Sequence, residues 1–199
     1  MTRQVALLRG INVGGKNIVA MSALRELFTS LGCTAVSTYI QSGNVVFTPP
    51  RPRPLTEATL ESAIGDRFGV VTRVALRVPA DLDRVLAGNP FPGADPAYLH
   101  VGFMAAEPPA GGARLLATGG PGEARPVPGP GEARPVPGPG EEWAVRDREV
   151  YLYLPAGMAR TKLPAQLDRR LGPMTFRNWR TLTKLGELVA ELAVDRQGR

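Results

Sequence analysis

The amino-acid sequence predicts an α+β protein built from two ferredoxin-like (βαββαβ) halves with antiparallel sheets, followed by a C-terminal helix. Three observations carry this reading. Over the first 79 residues the hydrophobic periodicity runs strand, helix, two hairpin strands, helix, strand, which is the split βαβ arrangement. The same order of patterns returns after Tyr98 without any repeat of sequence, as expected for a duplicated structure. The 199 residues, 43% of them hydrophobic, suffice for one large core or two small ones.

Val5 to Leu8 reads as a buried strand. Leu24, Leu27, Phe28 and Leu31 then fall on one helical stripe, with Ser22 placed as an N-cap and Gly32 where a C-terminal glycine belongs. Val36, Thr38 and Ile40 alternate against Ser37 and Tyr39; Gln41 to Asn44 makes a turn, and Val45, Val46 and Phe47 complete a hairpin. Pro49 to Pro54 is a loop. Thr56 caps a second helix whose Leu60, Ala63, Ile64 and Phe68 share a face before Gly69 ends it, and Val70 to Val78 reads as the fourth strand. A short helix from Pro79 to Ala87 and an Asn89-Pro90-Phe91-Pro92 turn lead into the second half. There, Tyr98 to Met104 is a strand and Ala110 to Ala117 a weak helix. Trp143 to Val145 pairs with Val150 to Leu154 around a turn at Arg146 to Glu149. Leu163, Leu167 and Leu171 stripe a helix closed by Gly172, Thr175 and Phe176 mark the last strand, and Leu182, Leu185, Val189 and Leu192 the closing helix.

The organisation expected is therefore 1–79 as the first half, 80–117 as a connecting helix and the start of the second, 118–140 as a Pro/Gly-rich linker, and 141–199 as the remainder with the C-terminal helix. The linker holds the one literal repeat, Gly122 to Pro130 copied without change from Gly131 to Pro139. Prolines at that density fit neither sheet nor helix, so the segment is expected to be disordered and partly extended. It reads as an inert insertion, with a proline-motif ligand as the alternative.

No run approaches the roughly 20 apolar residues of a membrane span, and Arg9 interrupts the first apolar run too early for a signal peptide. A cytoplasmic protein is expected. Cys33, the sole cysteine, agrees: it has no internal disulfide partner and no neighbour at metal-ligand spacing. The formal net charge is +6, and the bases are unevenly spread. Arg160, Lys162, Arg169, Arg170, Arg177, Arg180 and Lys184 face one acid, Asp168, between Pro155 and Lys184, while Arg3, Arg9, Lys16 and Arg25 face only Glu26 in the first 47 residues. Either an anionic partner or an ordinary solvated basic face accounts for this.

The stretch Arg9-Gly10-Ile11-Asn12-Val13-Gly14-Gly15-Lys16-Asn17 follows the first strand and carries no acid. Its glycines let backbone N–H groups curl toward an anion, with Lys16 adding charge. It departs from a P-loop, because Asn17 stands where a magnesium-binding hydroxyl is needed, the helix stripe starts only near Leu24, and the sheet is antiparallel. The same glycines also read as a tight chain crossing. In a split βαβ fold the first two strands run parallel with the third between them, so this loop and the Gln41-Ser42-Gly43-Asn44 turn emerge at one end. Gln41, Ser42 and Asn44 add amides and a hydroxyl suited to a base edge or sugar, although turn chemistry alone also explains them. Arg160, Lys162, Arg177, Asn178, Trp179 and Lys184 form a secondary basic candidate surface. In it Trp179 stacks a base or braces the core, and Asn178 or Thr181 doubles as a helix cap. His100 stands alone on a strand without an acidic partner, which reads as structural. No catalytic set, metal cluster or cofactor motif emerges.

The motifs Ala6 to Asn17, Tyr39 to Phe47, Asn89-Pro90-Phe91 and Arg177-Asn178-Trp179, in this order and spacing, resemble the bacterial family known as domain of unknown function 1697. The resemblance spans the chain except about Ala117 to Gly140, where the repeat departs from the family's shorter connection. It implies the two-half α+β fold and no activity. The residues it marks are Arg9, Gly10, Asn12, Gly14, Gly15, Lys16, Asn17, Gln41, Ser42, Gly43 and Asn44. The functional expectation is a cytoplasmic protein that binds a phosphate-bearing ligand, a nucleotide or nucleic acid, at the loop and hairpin rim. An enzyme on a phosphorylated or nucleotide substrate and an oligomeric scaffold without ligand are the alternatives, and the oligomeric state stays open.

Overall fold

The computed structural model describes residues 2–107 and 135–194. Gln4–Leu8 (β1), Met21–Ser30 (α1), Thr34–Tyr39 (β2), Asn44–Thr48 (β3), Glu57–Phe68 (α2) and Val74–Arg77 (β4) build the first half, and Pro79–Ala87 (α3) follows. The second half holds Leu99–Met104 (β5), Glu142–Arg146 (β6), Glu149–Tyr153 (β7), Leu163–Leu171 (α4) and Met174–Asn178 (β8), and Trp179–Val194 (α5) closes the described chain. The helix expected over Ala110 to Ala117 and most of the 118–140 linker lie outside the described residues.

Each half contains one four-stranded sheet, in the order β2-β3-β1-β4 and β6-β7-β5-β8, with every neighbouring pair antiparallel. The protein is thus α+β with two antiparallel sheets of the same ferredoxin-like strand order and a C-terminal helix. In the first sheet β1 pairs with β3 on one side and β4 on the other, which explains its unbroken apolar run: Val5, Ala6, Leu7 and Leu8 are all fully buried. Ala6 and Leu8 point to the helix side, where they join Leu24, Phe28, Val45, Phe47, Leu60, Ile64 and Val74 in one core. Phe28 meets Phe47 edge to face, ring centres 5.0 Å apart at 67°; truncating such a buried ring to alanine costs about 3–5 kcal/mol. Cys33 belongs to this core, and burial pushes its thiol up to about 11. The second core gathers Met104, Trp143, Val150, Leu152, Leu163, Leu167, Leu171 and Met174.

Helix ends follow local chemistry. The Thr56 hydroxyl accepts from Thr59 N, and Gly69 stops α2 in the left-handed region at φ 67°. Ser22, by contrast, is no cap: α1 begins at Met21 with Ala20 before it and no side-chain bond. The fourth strand is shorter than Val70 to Val78, because the ladder to β1 ends where β1 ends, at Leu8 opposite Val74. Ile40 is also outside β2. It sits in the turn at φ 48°.

By internal contacts the chain divides into Met1–Ala87 with Thr181–Arg199, and Gly88–Arg180. This differs from boundaries drawn at 79 and 141. α3 buries Leu82 and Val85, a Cβ on Gly186 would stand 3.2 Å from Leu86 Cδ1, and the Arg3 guanidinium donates to Val189 O at 3.4 Å. Those contacts tie both α3 and the body of α5 to the first unit. Among the described residues no helix is long and apolar enough to cross a membrane.

Candidate functional site: a braced loop and hairpin rim

The rim follows from strand order. Since β1 and β2 end on the same side, the loop after β1 and the β2–β3 turn are neighbours, and Leu8 N donates to Gly43 O at 2.8 Å. Val13 and Lys16 form an antiparallel bridge, closed by Lys16 N to Val13 O and preceded by Asn12 N to Asn17 O, each 3.0 Å. Gly14 and Gly15 are the two tip residues of this miniature hairpin, at φ 58° and 74°. Positive φ at both central positions is the type I′ signature that glycine meets without strain. No atom would crowd a Cβ at either one, so conformation alone calls for glycine there.

Three asparagines brace the rim, Asn17 within the loop, Asn44 within the hairpin and Asn12 between the two. Asn12 Nδ2 donates to Val19 O and to Gln41 O, each at 2.9 Å, while Asn12 Oδ1 accepts from Val19 N at 2.8 Å. Asn17 Nδ2 donates to Gly10 O at 2.9 Å. Asn44, fully buried at the start of β3, donates to Tyr39 O and Ser42 Oγ, each at 2.9 Å. Asn12 at φ 55° and Asn17 at φ 50° occupy the left-handed region that asparagine tolerates. Gly43 serves packing as well as turn geometry. At φ 75°, its Cβ would lie 2.8 Å from both Leu8 Cβ and Ile11 Cδ1. Arg9 is anchored through its backbone, N donating to Arg73 O at 2.9 Å and O accepting from Thr72 Oγ1 at 2.8 Å.

The structure thus brings all eleven sequence-marked residues to one rim and divides their work. Asn12, Asn17, Gly43 and Asn44 shape it, and Ser42 accepts one of those bonds. Gly14, Gly15, Lys16 and Gln41 are exposed, and no acid occurs among residues 9–17 or 40–44. α1 starts at Met21, so the glycine tip does not open a helix. That separates it from phosphate loops seated on a helix N-terminus.

The rim also presents apolar residues that the sequence reading did not place at a site. Val13, Ile18 and Ile40 are 64%, 67% and 49% exposed. Val13 and Ile18 carry one sequence signal, β-branched side chains in or beside a glycine- and asparagine-rich loop with no partner stripe, whereas Ile40 reads as the last residue of an alternating strand.

The secondary basic surface needs correction. Arg177 is buried, its Nη1 donating to Thr175 Oγ1 and Phe176 O at 2.8 Å, and burial pulls its pKa down to about 10. Position 177 shares the face of Thr175, opposite the one on which Met174 and Phe176 meet the second core, and no residue of β8 is exposed on either face. Asn178 is a cap: Oδ1 accepts from Arg180 N, and Nδ2 donates to Ala97 O, both at 3.0 Å. Trp179 is half-buried, Arg160 and Lys162 are exposed, and Lys184 pairs with Glu187 at 2.9 Å. His100 is half-buried with Nδ1 3.3 Å from Tyr98 O, and burial lowers its pKa.

Comparison with known proteins bears on the fold. The family model described as "Protein of unknown function (DUF1697)" matches residues 1–126, which include the whole rim. A solved structure, that of a conserved bacterial protein from Streptococcus pneumoniae, is 24% identical. It covers 94% of this chain and 98% of its own, with a TM-score of 0.59. No curated protein matches.

Proposed function

This chain belongs to the DUF1697 family of proteins of unknown function, and we propose that it binds a phosphate-bearing ligand, a nucleic acid or nucleotide, at the rim, in the cytoplasm. The observation that carries the reading is the pairing of an exposed Gly14-Gly15-Lys16 tip with a base made rigid by the Asn12 hydrogen bonds. A loop whose shape is set before binding loses little entropy when it meets a ligand. Lys16 supplies the charge, the tip glycines suit backbone N–H groups to an anion, and Gln41, exposed on the hairpin and bonded by Asn12 through its backbone carbonyl, adds an amide that both donates and accepts. The absence of acids from both segments removes the repulsion an anion would meet. Because the tip projects into solvent, the ligand that suits it best is an extended one, so nucleic acid is preferred over a free nucleotide.

A thermal-shift screen of the full chain against nucleotides and short oligonucleotides at low salt tests this, since a ligand selective for the native state must raise its melting temperature. The expected result is stabilisation by an oligonucleotide that fades as salt is added. No shift with any phosphate-bearing compound would overturn the reading.

A further inference from the structure

The two segments of the rim expose three β-branched apolar side chains, Val13, Ile18 and Ile40, together with its one lysine. Val13 bridges to Lys16, and Ile18 lies two residues beyond it. Ile40 precedes Gln41, whose carbonyl is bonded by the same Asn12 amide that bonds Val19 O. Ile40 is the most telling of the three. It adopts φ 48°, a conformation costly for a β-branched residue that glycine or asparagine would take at little expense. Its side chain is about half exposed, so core packing does not explain its presence. A position that holds strain and exposes apolar surface suits contact with something outside the chain.

Resting on the proposed nucleic-acid reading, we infer that Val13, Ile18 and Ile40 form an apolar wedge that takes unstacked bases, so the ligand is a single-stranded or locally opened nucleic acid. The chemistry is complementary on both counts. A strand carries phosphates on its backbone and flat apolar faces on its bases, and this rim offers a lysine set among stiff branched side chains. Apolar side chains, isoleucine among them, insert between the base steps of a duplex at an unstacking cost, and that cost is least where the bases are already unpaired. β-branched side chains lose little rotamer freedom on contact. A folded protein partner would also need acids to meet Lys16, whereas the phosphates of a strand supply that charge themselves.

The test uses the full chain and two fluorescent 12-nucleotide single strands of equal charge, one with bases and one wholly abasic, with 2-aminopurine reporting stacking in the first. The expected result is about two- to fivefold tighter binding of the base-bearing strand, at or below the lower end of what a base stacked on an aromatic ring contributes, with a rise in 2-aminopurine fluorescence as bases unstack. Ile40→Asn, which suits the backbone at that position, should reduce the preference toward unity. Val13→Thr and Ile18→Thr, which keep the branched shape, should each reduce it in part. Lys16→Ala should weaken both strands alike. Equal affinity for the two strands, or a preference unchanged in Ile40→Asn, overturns the wedge and leaves phosphate binding standing. Binding of neither strand overturns both readings.

Discussion

One side-chain amide joins the two halves of the rim: Asn12 Nδ2 donates to Gln41 O across the gap and to Val19 O within its own loop, both at 2.9 Å. Asn12→Ala removes these bonds and that from Val19 N, and places a Cβ-bearing residue without a polar side chain at φ 55°. A loss of about 1–3 kcal/mol is expected in denaturant unfolding, with amide exchange quickened across residues 12–19 and 40–44. Asn12→Gly relieves the backbone but not the bonds, so most of the loss should remain. Wild-type stability in both variants would show that the amide braces nothing.

Gly43 and Gly14 share a left-handed backbone and differ in their surroundings. Alanine at Gly14 meets open space and should cost about 1–2 kcal/mol from conformation alone. At Gly43 the new methyl would also press on Leu8 Cβ and Ile11 Cδ1 at 2.8 Å, and overpacking adds about 1–3 kcal/mol. Gly43→Ala should therefore be clearly the less stable of the two by chemical denaturation. Equal losses would mean that the core yields at Leu8.

Lys16 is exposed at the loop tip, and its removal should leave the melting temperature within the scatter of surface substitutions. If one phosphate is neutralised there, the slope of log affinity against log salt for a single-stranded oligonucleotide should become shallower by about 0.7. A slope identical to wild type would place the phosphate contact elsewhere.

Asp81 links pH to stability at the start of α3. Burial alone would raise its pKa, but the hydrogen bond from Val78 N at 2.9 Å, the Arg84 guanidinium and the charge of buried Arg77 outweigh it, and the net shift is downward. A carboxyl whose folded pKa lies below its unfolded value stabilises the fold at all pH above the unfolded value, about 4, and loses that contribution as pH falls through the folded one. Asp81→Asn should be less stable than wild type at pH 7, by about 0.5–1 kcal/mol if the charge at the helix start dominates. The gap should close as unfolding is followed below pH 4. A gap that is constant down to pH 2 would rule out the ionic origin.

Local chemistry in the chain was enough to determine most elements and, through their order, the fold. A continuous apolar run at Val5–Leu8, a stripe at Leu24, Leu27 and Phe28, and stops at Gly69 and Gly172 each act over a few residues, and strand order follows from the sequence of strands and helices. The proximity of the glycine loop and the hairpin turn came with that topology. Tertiary structure decided what neighbours decide. Val70 to Arg73 carries strand-like side chains but has no β1 partner, so it leaves the ladder. Ile40 continues an alternation yet turns away, because the hairpin needs a positive φ there. Arg177 reads as surface charge and is buried by its place in β8. At the rim, Asn12, Asn17 and Asn44 carry the same amide as any ligand-binding asparagine. Only the carbonyls of Val19, Gln41, Gly10 and Tyr39, brought within 2.9 Å by folding, make them braces and leave Lys16, Gln41, Val13, Ile18 and Ile40 as the exposed side chains of the rim. A residue's type sets which bonds it can make, and which it does make depends on atoms distant in sequence that packing alone delivers.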